Sequence, residues 1–296
     1  MLGQNIKVHF AGSDYSQSVI DSLEIAQVHY RLFTVYPVIA NKTIAQIQGG
    51  GGHDKTGVVK RQQELFNHVI MDSGLFTLMF GGGKEQKQTK SSLMEWQDKT
   101  FEFIKQNNFN GTCVDIDCQK LLGVEEAWFF RERMRNTIKN RCINVFHVED
   151  GKKGLDRLIE FSEYIAISVP EIRIVKPKTF REDVHRLATY IKNKKPEIDI
   201  HLLGCTDKLM LKQNRFCTSA DSSSWTGVYR FGTLLGKNMH KLKPEVYKQY
   251  EKKYADFIGM ENWNKLTSNA KRKNVWELLS AELSKNIYSQ YAGNQD

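Results

Sequence analysis

Eight apolar runs of strand type constrain the fold of this chain more than any other feature. The runs are rich in β-branched and aromatic residues, and most of them end at small or acidic residues. They cover residues 6–10, 31–39, 69–71, 112–116, 143–148, 164–169, 198–203 and 215–219. Helical periodicity fills most of the intervals, as between Phe180 and Ile191. A chain that alternates strands and helices in this way predicts a parallel sheet covered by helices.

The number of strands fits an α/β fold of the (β/α)8 TIM-barrel type, which we predict for residues 1–236. A doubly wound sheet is the alternative, because periodicity does not reveal whether a parallel sheet closes on itself. In the helix predicted over residues 124–138, we expect Arg131, Arg133 and Arg135 to form the solvated side.

Acidic residues directly after the strands favour the closed barrel. They are Asp14, Asp72, Asp115 or Asp117, Glu149 or Asp150, and Asp221. In a barrel these strand ends converge on one catalytic face. Asp after a strand is also a common helix N-cap, and we favour that interpretation for Asp14 and Asp150. For Asp72 and Asp221 we favour a functional role.

Two motifs near the end of the predicted barrel carry a resemblance to a known family. His201–Gly204 reads HLLG, and Ser219–Trp225 reads SADSSSW. Together they resemble the last two barrel strands of the tRNA-guanine transglycosylases, and SADSSSW resembles the relatives of that family that act on DNA. The resemblance covers about residues 68–235, and it implies that Asp221 is the nucleophile.

Three further segments are similar to motifs of the family. Asp72–Thr77 resembles DSGGFQ but differs at the second Gly and at the Gln, and residues 114–118 resemble FDEC. The second match leaves open whether Asp115 or Asp117 reads the guanine, and period-two alternation would direct both to the same side. Residues 148–151 correspond to a glutamine-glycine segment. The substrate-binding residues that the resemblance implies are Ser73, Gly74, Phe76, Asp115, Asp117, Glu149, Gly204, Ser222 and Trp225.

The family chemistry is an exchange of guanine in a nucleic acid for a 7-deazaguanine base, which makes the expected enzyme a pentosyltransferase. Displacing a purine passes through an oxocarbenium-like state, so a carboxylate at C1′ stabilises charge and forms a sugar ester. Asp221 would take that place, and Asp72 would be the acid and base if burial raises its pKa. The alternatives are exchange on tRNA, a hydrolase acting on a small nucleoside, and a nucleic-acid-binding subunit without catalysis.

Cysteine usage bears on the substrate. The five cysteines form no CxxC or CxC pair, and no cysteine follows Cys217. The tRNA enzymes carry a Cys-x-Cys-x-x-Cys and a distant His after the last strand. We therefore expect no structural zinc and no cofactor, and the loss of this module favours DNA over tRNA.

Positive charge is concentrated after the barrel. The chain has a net charge of +9, and residues 237–273 hold ten Lys or Arg against four Asp or Glu. We predict that residues 237–296 form a basic helical extension, either contacting phosphates or packing on the barrel as an ordinary solvated face. Its terminal helix would dock on the barrel or on a second subunit. The predicted nucleic-acid-binding residues are Lys252, Lys253, Lys271, Arg272 and Lys273.

The expected partners are therefore nucleic acid, with DNA preferred to tRNA, and a 7-deazaguanine base. A homodimer or companion modification proteins would complete the set, and no membrane is expected. Lys7 and His9 interrupt any signal peptide, and no run reaches the ~18 apolar residues of a membrane span, which predicts a soluble cytoplasmic protein. Residues 48–57 resemble a phosphate-binding loop, but Asp54 stands where that loop requires Gly. This stretch and Gly81–Gly83 are either lids over the site or plain connectors.

Overall fold

The computed structural model describes residues 5–12, 16–39, 57–80, 87–234, 237–238 and 243–296. Eight parallel strands form a closed barrel in sequence order, and the ring closes where Lys7–Phe10 pairs with Ser219–Ser222. This closure confirms the TIM barrel and excludes the doubly wound alternative. The strands are β1 Lys7–Ala11, β2 Tyr30–Thr34, β3 His68–Asp72, β4 Thr112–Val114, β5 Cys142–Phe146, β6 Tyr164–Ser168, β7 Asp199–Leu203 and β8 Ser219–Ser222.

Helices surround the barrel. In chain order they are α1 Gln17–Ile25, α2 Tyr36–Ile39, α3 Val58–Leu65, α4 Leu75–Phe80, α5 Lys90–Gln106, α6 Gln119–Leu122, α7 Val124–Thr137, α8 Gly151–Phe161, α9 Val169–Val175, α10 Phe180–Lys194, α11 Lys208–Gln213, α12 Gly227–Phe231, α13 Pro244–Ile258, α14 Met260–Lys265 and α15 Ser268–Ala292. The local sequence determines where several of these helices begin. Thr89 and Ser92 form a reciprocal capping box before α5, and Asp207 accepts the amide of Met210 at the start of α11. Short 3-10 turns occur at Val148–Asp150 and Ser224–Thr226, and β9 Thr233–Leu234 pairs with β10 Lys237–Asn238.

Alternation along the strands decides which side chains face the barrel axis. Eight buried apolar residues form one cluster inside the barrel: Ala11, Leu32, Ile70, Val114, Ile143, Val145, Tyr164 and Ala166. Because successive side chains of a strand point to opposite faces, Asp72 shares the inward face with Ile70. Hydrogen bonding from Tyr164 to Ser219 places Ser219, and therefore Asp221, on the inward face of β8.

The strand bounds differ most from the prediction at β2 and β8. The second strand stops at Thr34, and residues 36–39 turn into a helix whose early Pro37 fits the first turn. The last strand begins at Ser219 instead of residue 215. Before it, the Arg215 guanidinium donates to the carbonyls of Tyr291 and Gln290 at 2.8 and 3.0 Å, so tertiary contacts hold this segment as a turn. Asp221 consequently lies within the strand.

The C-terminal segment completes the helical ring. Helix α15 packs against both α1 and α11, and Tyr288 lies edge-on to Phe10 with ring centroids 5.4 Å apart. Beyond α15, the side-chain oxygen of Gln295 accepts the amide of Val8 at 2.8 Å, and its amide nitrogen donates to the Ile6 carbonyl at 2.9 Å. The end of the chain therefore closes the amino-terminal end of the barrel.

The structure also bears on membrane spans and on the state of the cysteines. Within the described ranges, no helix is both long enough and apolar enough to cross a membrane. All five cysteines are free thiols, and four of them are buried, which agrees with packing as small apolar side chains.

Candidate active site at the carboxyl ends of the strands

Asp221 is held at one oxygen and open at the other. Its Oδ1 accepts hydrogen bonds from His201 Nε2 at 3.0 Å and from the backbone amide of Gly204 at 2.8 Å. Among the residues that the structure describes, none donates to Oδ2. The Gly204 backbone has a φ of +64°, and a Cβ there would lie 2.7 Å from the Pro170 ring, so glycine is required to bring this amide to the carboxylate.

His201 connects Asp221 to a chain of buried hydroxyl groups. Its Nδ1 lies within hydrogen-bonding distance, 2.5 Å, of Ser219 Oγ, which in turn lies 2.5 Å from the hydroxyl of Tyr164. An ionised Asp221 requires His201 Nε2 to be the donor, which makes Nδ1 the acceptor of the Ser219 proton. Ser219 can then accept from Tyr164, so every member of the chain is satisfied with a neutral imidazole.

Asp72 is the last residue of β3, and its side chain lies on the inward face. It is partly exposed at the mouth of the barrel, which is the end where the strands reach their carboxyl ends. Its Oδ2 accepts the amide of Gly74 at 3.0 Å, and Gly74 has a φ of +73°. A Cβ on Gly74 would stand 2.8 Å from Tyr36 Cβ and 2.9 Å from Thr34 Oγ1. The tight turn therefore requires glycine, and it orients the carboxylate beside the barrel mouth. Ser73 in the same motif is buried, and its carbonyl accepts the Trp96 indole at 2.8 Å, so its place is structural.

Asp115 and Asp117 have different partners, and the prediction that Arg131 is solvated is wrong, because its side chain is buried. Asp115 follows the inward Val114 and therefore faces the helix layer, where its Oδ2 accepts from the buried Arg131 at 2.8 Å. Its Oδ1 accepts the amide of Val145 at 3.1 Å. Burial raises the pKa of Asp115 to about 6 despite the charge of Arg131. Asp115 is thus engaged in the barrel wall, away from any substrate.

Asp117 belongs to a charged cluster on the β4 to β6 side of the mouth. His147 Nε2 lies 3.0 Å from Asp117 Oδ2, and His147 Nδ1 lies 2.9 Å from Glu171 Oε2. Lys120 Nζ lies 2.8 Å from the other oxygen of Glu171. Burial alone would lower the pKa of His147, but the neighbouring carboxylates of Asp117 and Glu171 outweigh it and raise the pKa to about 10. Glu149, predicted to bind substrate, is exposed beside this cluster.

The predicted substrate contacts of Trp225 and Ser222 are not supported. Trp225 is fully buried, its indole donates to the Ala11 carbonyl at 2.8 Å, and its ring packs on Phe10. Ser222 follows the inward Asp221 and accepts the amide of Ser224 at 3.0 Å, which forms a local turn. The SADSSSW segment therefore places one side chain, Asp221, toward the barrel axis and uses the next residues to close the wall.

Exposed apolar side chains occur repeatedly in the segments that follow the strands. Phe76 is 75% exposed after β3, and Phe231 is 72% exposed in α12 after β8. Val148, Ile174, Val175 and Leu209 follow β5, β6 and β7 in the same way. Large apolar surface in water is costly unless a partner covers it, so this rim is a candidate contact surface. Aromatic side chains of this kind stack on unpaired bases.

Most of the predicted phosphate contacts have partners within the protein. Lys252 pairs with Asp256 at 2.5 Å, Lys253 pairs with Glu282, and Lys273 lies 3.4 Å from Glu277. Lys271 lies over the Trp263 ring, 5.3 Å from its centroid. The side chain of Lys252 remains 77% exposed, and those of Lys253 and Lys273 are about half exposed. The position of Lys273 matters most, because its ammonium also lies 3.3 Å from Ser18 Oγ in the first turn of α1, on the mouth side.

Several residues of the site were not found by sequence reasoning. His201, His147 and Glu171 each stand alone between apolar residues, where a buried structural histidine or a helix-start carboxylate is the ordinary interpretation. The available signal was alternation, since His201 has the same parity as Leu203 on β7. Asp14, residues 48–56 and Gly81–Gly83 lie outside the described residues, so the N-cap and lid predictions remain predictions.

Comparisons with known proteins add no chemistry to this description. Neither a scan against protein-family models nor a search of curated proteins found a match to this chain. Among solved structures, the chain is similar to the carboxyl transferase domain from Rhizobium etli pyruvate carboxylase, solved with 3-bromopyruvate, at 11% identity and a TM-score of 0.44. That alignment covers 97% of this chain and 48% of the other. Similarity at this level carries no inference about activity.

Proposed function

We propose that this protein exchanges guanine in a nucleic acid, DNA in preference to tRNA, for a 7-deazaguanine base. The observation that carries the proposal is the state of Asp221, whose Oδ1 is fixed by two donors while Oδ2 accepts nothing from the described residues. A carboxylate held in this way is oriented for attack and keeps one oxygen for the reacting carbon. Asp72, on the inward face of β3, supplies a second carboxylate.

The reaction needs two displacements at C1′. In the first, Asp221 Oδ2 forms a bond to C1′ as the bond from C1′ to guanine breaks, and Asp72 gives its proton to the leaving base. In the second, the ring nitrogen of the incoming base attacks C1′, Asp72 takes the proton of that nitrogen, and the ester to Asp221 breaks. Both inversions occur at one carbon, so the sugar keeps its configuration.

The rim of the mouth agrees with a nucleic-acid substrate. Phe76 and Phe231 expose aromatic rings on segments that follow β3 and β8, the two strands that carry the carboxylates. A guanine within a duplex must be flipped out before its C1′ meets a protein carboxylate, at roughly a few kcal/mol. Stacking on an exposed ring, worth about 1–3 kcal/mol per base, offsets that cost.

Incubation with labelled guanine tests the proposal. The protein is mixed with the labelled base and with duplex DNA, single-stranded DNA or tRNA, and label in the polymer is measured. We expect label in DNA and a covalent adduct on a denaturing gel, both lost in Asp221→Asn because an amide does not attack. Asp98→Asn is the matched control, since Asp98 is exposed on α5.

Each other result has its own meaning. Label in tRNA alone would show that the substrate is tRNA and not DNA. Release of guanine without incorporation would point to a hydrolase that uses the same carboxylates. Binding of nucleic acid with no turnover by the wild type would make the chain a binding subunit, and normal exchange by Asp221→Asn would overturn the nucleophile assignment.

A further inference from the structure

A histidine and two glutamates converge beside β5 and β6, separate from Asp221 and Asp72. One ligand atom each from His147, Glu149 and Glu171 lies within 4.8 Å of the other two. Atoms bound to one metal ion at about 2.0–2.2 Å are about 3–4 Å apart. Glu149 is exposed, so its side chain can supply the small movement that this contraction needs.

The orientation of His147 matches that of a metal ligand. Its Nε2 lies within hydrogen-bonding distance, 3.0 Å, of Asp117 Oδ2, and its Nδ1 is directed at Glu171. A histidine bound to a metal almost always donates a hydrogen bond from its other ring N–H to a carboxylate or carbonyl in this manner. The same contact makes Nδ1 a free acceptor once the ring is neutral.

Two buried polar atoms of the cluster, His147 Nδ1 and Glu171 Oε2, form an ion pair without the geometry of a hydrogen bond. His147 and Glu171 are 7% and 5% exposed. Nδ1 and Glu171 Oε2 lie 2.9 Å apart but off the line that a hydrogen bond requires, and neither atom has another hydrogen-bond partner among the described residues. Buried polar atoms left in this state are costly, which is the condition that a bound ion relieves.

The charges of the cluster also call for a cation. Asp117, Glu149 and Glu171 contribute three carboxylates, and Lys120, half exposed, contributes one positive charge at Glu171 Oε1. With a neutral imidazole the group is left with two negative charges. A divalent ion bound between Nδ1 and the two glutamates would balance them.

We propose that His147 Nδ1, Glu149 and Glu171 bind one divalent transition-metal ion, with Zn²⁺ or Mn²⁺ as the fitting class. One imidazole and two carboxylates suit these ions better than Ca²⁺, which takes six to eight oxygens, roughly. Asp117 and Lys120 hold the ligands in place without contacting the metal. The inference does not depend on the proposed exchange reaction, because it involves neither Asp221 nor Asp72.

Metal binding by the full chain tests this site without any activity assay. Protein stripped by a chelator is titrated with Zn²⁺ in equilibrium dialysis, and with Co²⁺ as a spectroscopic probe of nitrogen and oxygen ligation. We expect about one ion per chain and a Co²⁺ absorption band. Glu149→Gln and His147→Ala should each weaken binding by at least about tenfold, and Asp117→Asn by about 10- to 100-fold.

The controls keep the test decisive. Glu149 and Glu197 are both exposed, so both Gln variants should fold, and only Glu149→Gln should lose affinity. Asp221→Asn should bind the ion normally. Equal Zn²⁺ binding by Glu149→Gln and Glu197→Gln, or a wild type that binds no ion above the level of the His147→Ala variant, would overturn the proposal.

Discussion

At the scale of single residues, His201 decides how the carboxylate of Asp221 is presented. The imidazole is fully buried and lies between Ser219 and Asp221, so its tautomer is fixed by its neighbours instead of by solvent. Histidine is suited to this place because one neutral ring both donates and accepts. A residue that acts through Asp221 is a positioning residue, and its effect should fall on turnover more than on binding.

His201→Leu should therefore lower kcat by about 10- to 100-fold and leave KM nearly unchanged, since about 1–3 kcal/mol of orientation is lost at the nucleophile. His201→Gln keeps an N–H near the position of Nε2 and should recover part of the rate. Steady-state kinetics of exchange check the split between kcat and KM, and urea unfolding checks the fold. A KM effect with normal kcat, or no rescue by Gln, would show that His201 is only part of the core.

At the scale of elements, helix α15 links both ends of the barrel. Its first turns lie beside the start of α1, where Lys273 contacts Ser18, and its last turns reach the residues that close the opposite end. The basic triplet of residues 271–273 therefore lies on the side of the mouth. Carboxylate partners of Lys252, Lys253 and Lys273 reduce their net charge but leave the side chains accessible.

Replacing the basic residues of the extension with Gln should weaken nucleic-acid binding for all sequences and flatten its salt dependence. Each lost phosphate contact should reduce the slope of log K against log salt by about 0.9 on duplex DNA. Single-turnover chemistry at saturating substrate should change little. The substituted residues are Lys252, Lys253, Lys271, Arg272 and Lys273.

A matched control carries the same kind of charge change at the opposite end of the barrel. Lys105, Lys139 and Lys194 are exposed at or just after the last turns of α5, α7 and α10. Their replacement with Gln should leave the salt slope unchanged. Salt titrations monitored by fluorescence anisotropy compare the two variants, and an unaltered slope in the first would make the extension a packing element.

At the scale of the whole molecule, a histidine network links β1, β3 and β4 inside the barrel. His9 Nε2 lies 2.8 Å from His68 Nδ1, and His68 Nε2 lies 2.7 Å from Thr112 Oγ1. Burial lowers the pKa of His68 to about 4, with the charge of Arg141 adding to the shift. Burial also lowers the pKa of His9. The folded barrel therefore needs both rings neutral, whereas the unfolded chain takes up protons near pH 6.5.

The contribution of His9 and His68 to stability should consequently fall as the pH drops from about 6.5 toward 4, because at these two residues the unfolded state binds more protons in this window. For His68 alone the loss is about 2 kcal/mol between about pH 7.5 and about pH 5. Urea unfolding at the two pH values measures it. His68→Gln cannot be protonated and should show a smaller loss; an identical loss in this variant would assign the acid sensitivity to other groups.

The sequence by itself determined the alternation of strands and helices and the parity of its two central carboxylates. Eight apolar runs with helical intervals specify a parallel sheet covered by helices, because short-range periodicity follows from strand and helix geometry that each segment carries locally. The same alternation directs Asp72 and Asp221 inward once their neighbours Ile70 and Ser219 are known to be buried. These properties need no knowledge of which strands are neighbours. Closure of that sheet into a barrel was decided by the pairing of β1 with β8 in the tertiary structure.

Tertiary structure decided which polar side chains share the mouth. Asp115 and Asp117 both follow the end of β4 at Val114, and each finds its own partner: Arg131 pairs with Asp115, and His147 pairs with Asp117. Trp225 fills the barrel wall for a similar reason, because its indole reaches the Ala11 carbonyl more than 200 residues earlier in the chain. Such pairings depend on the order and stagger of strands around the barrel, and a local sequence pattern carries no record of either.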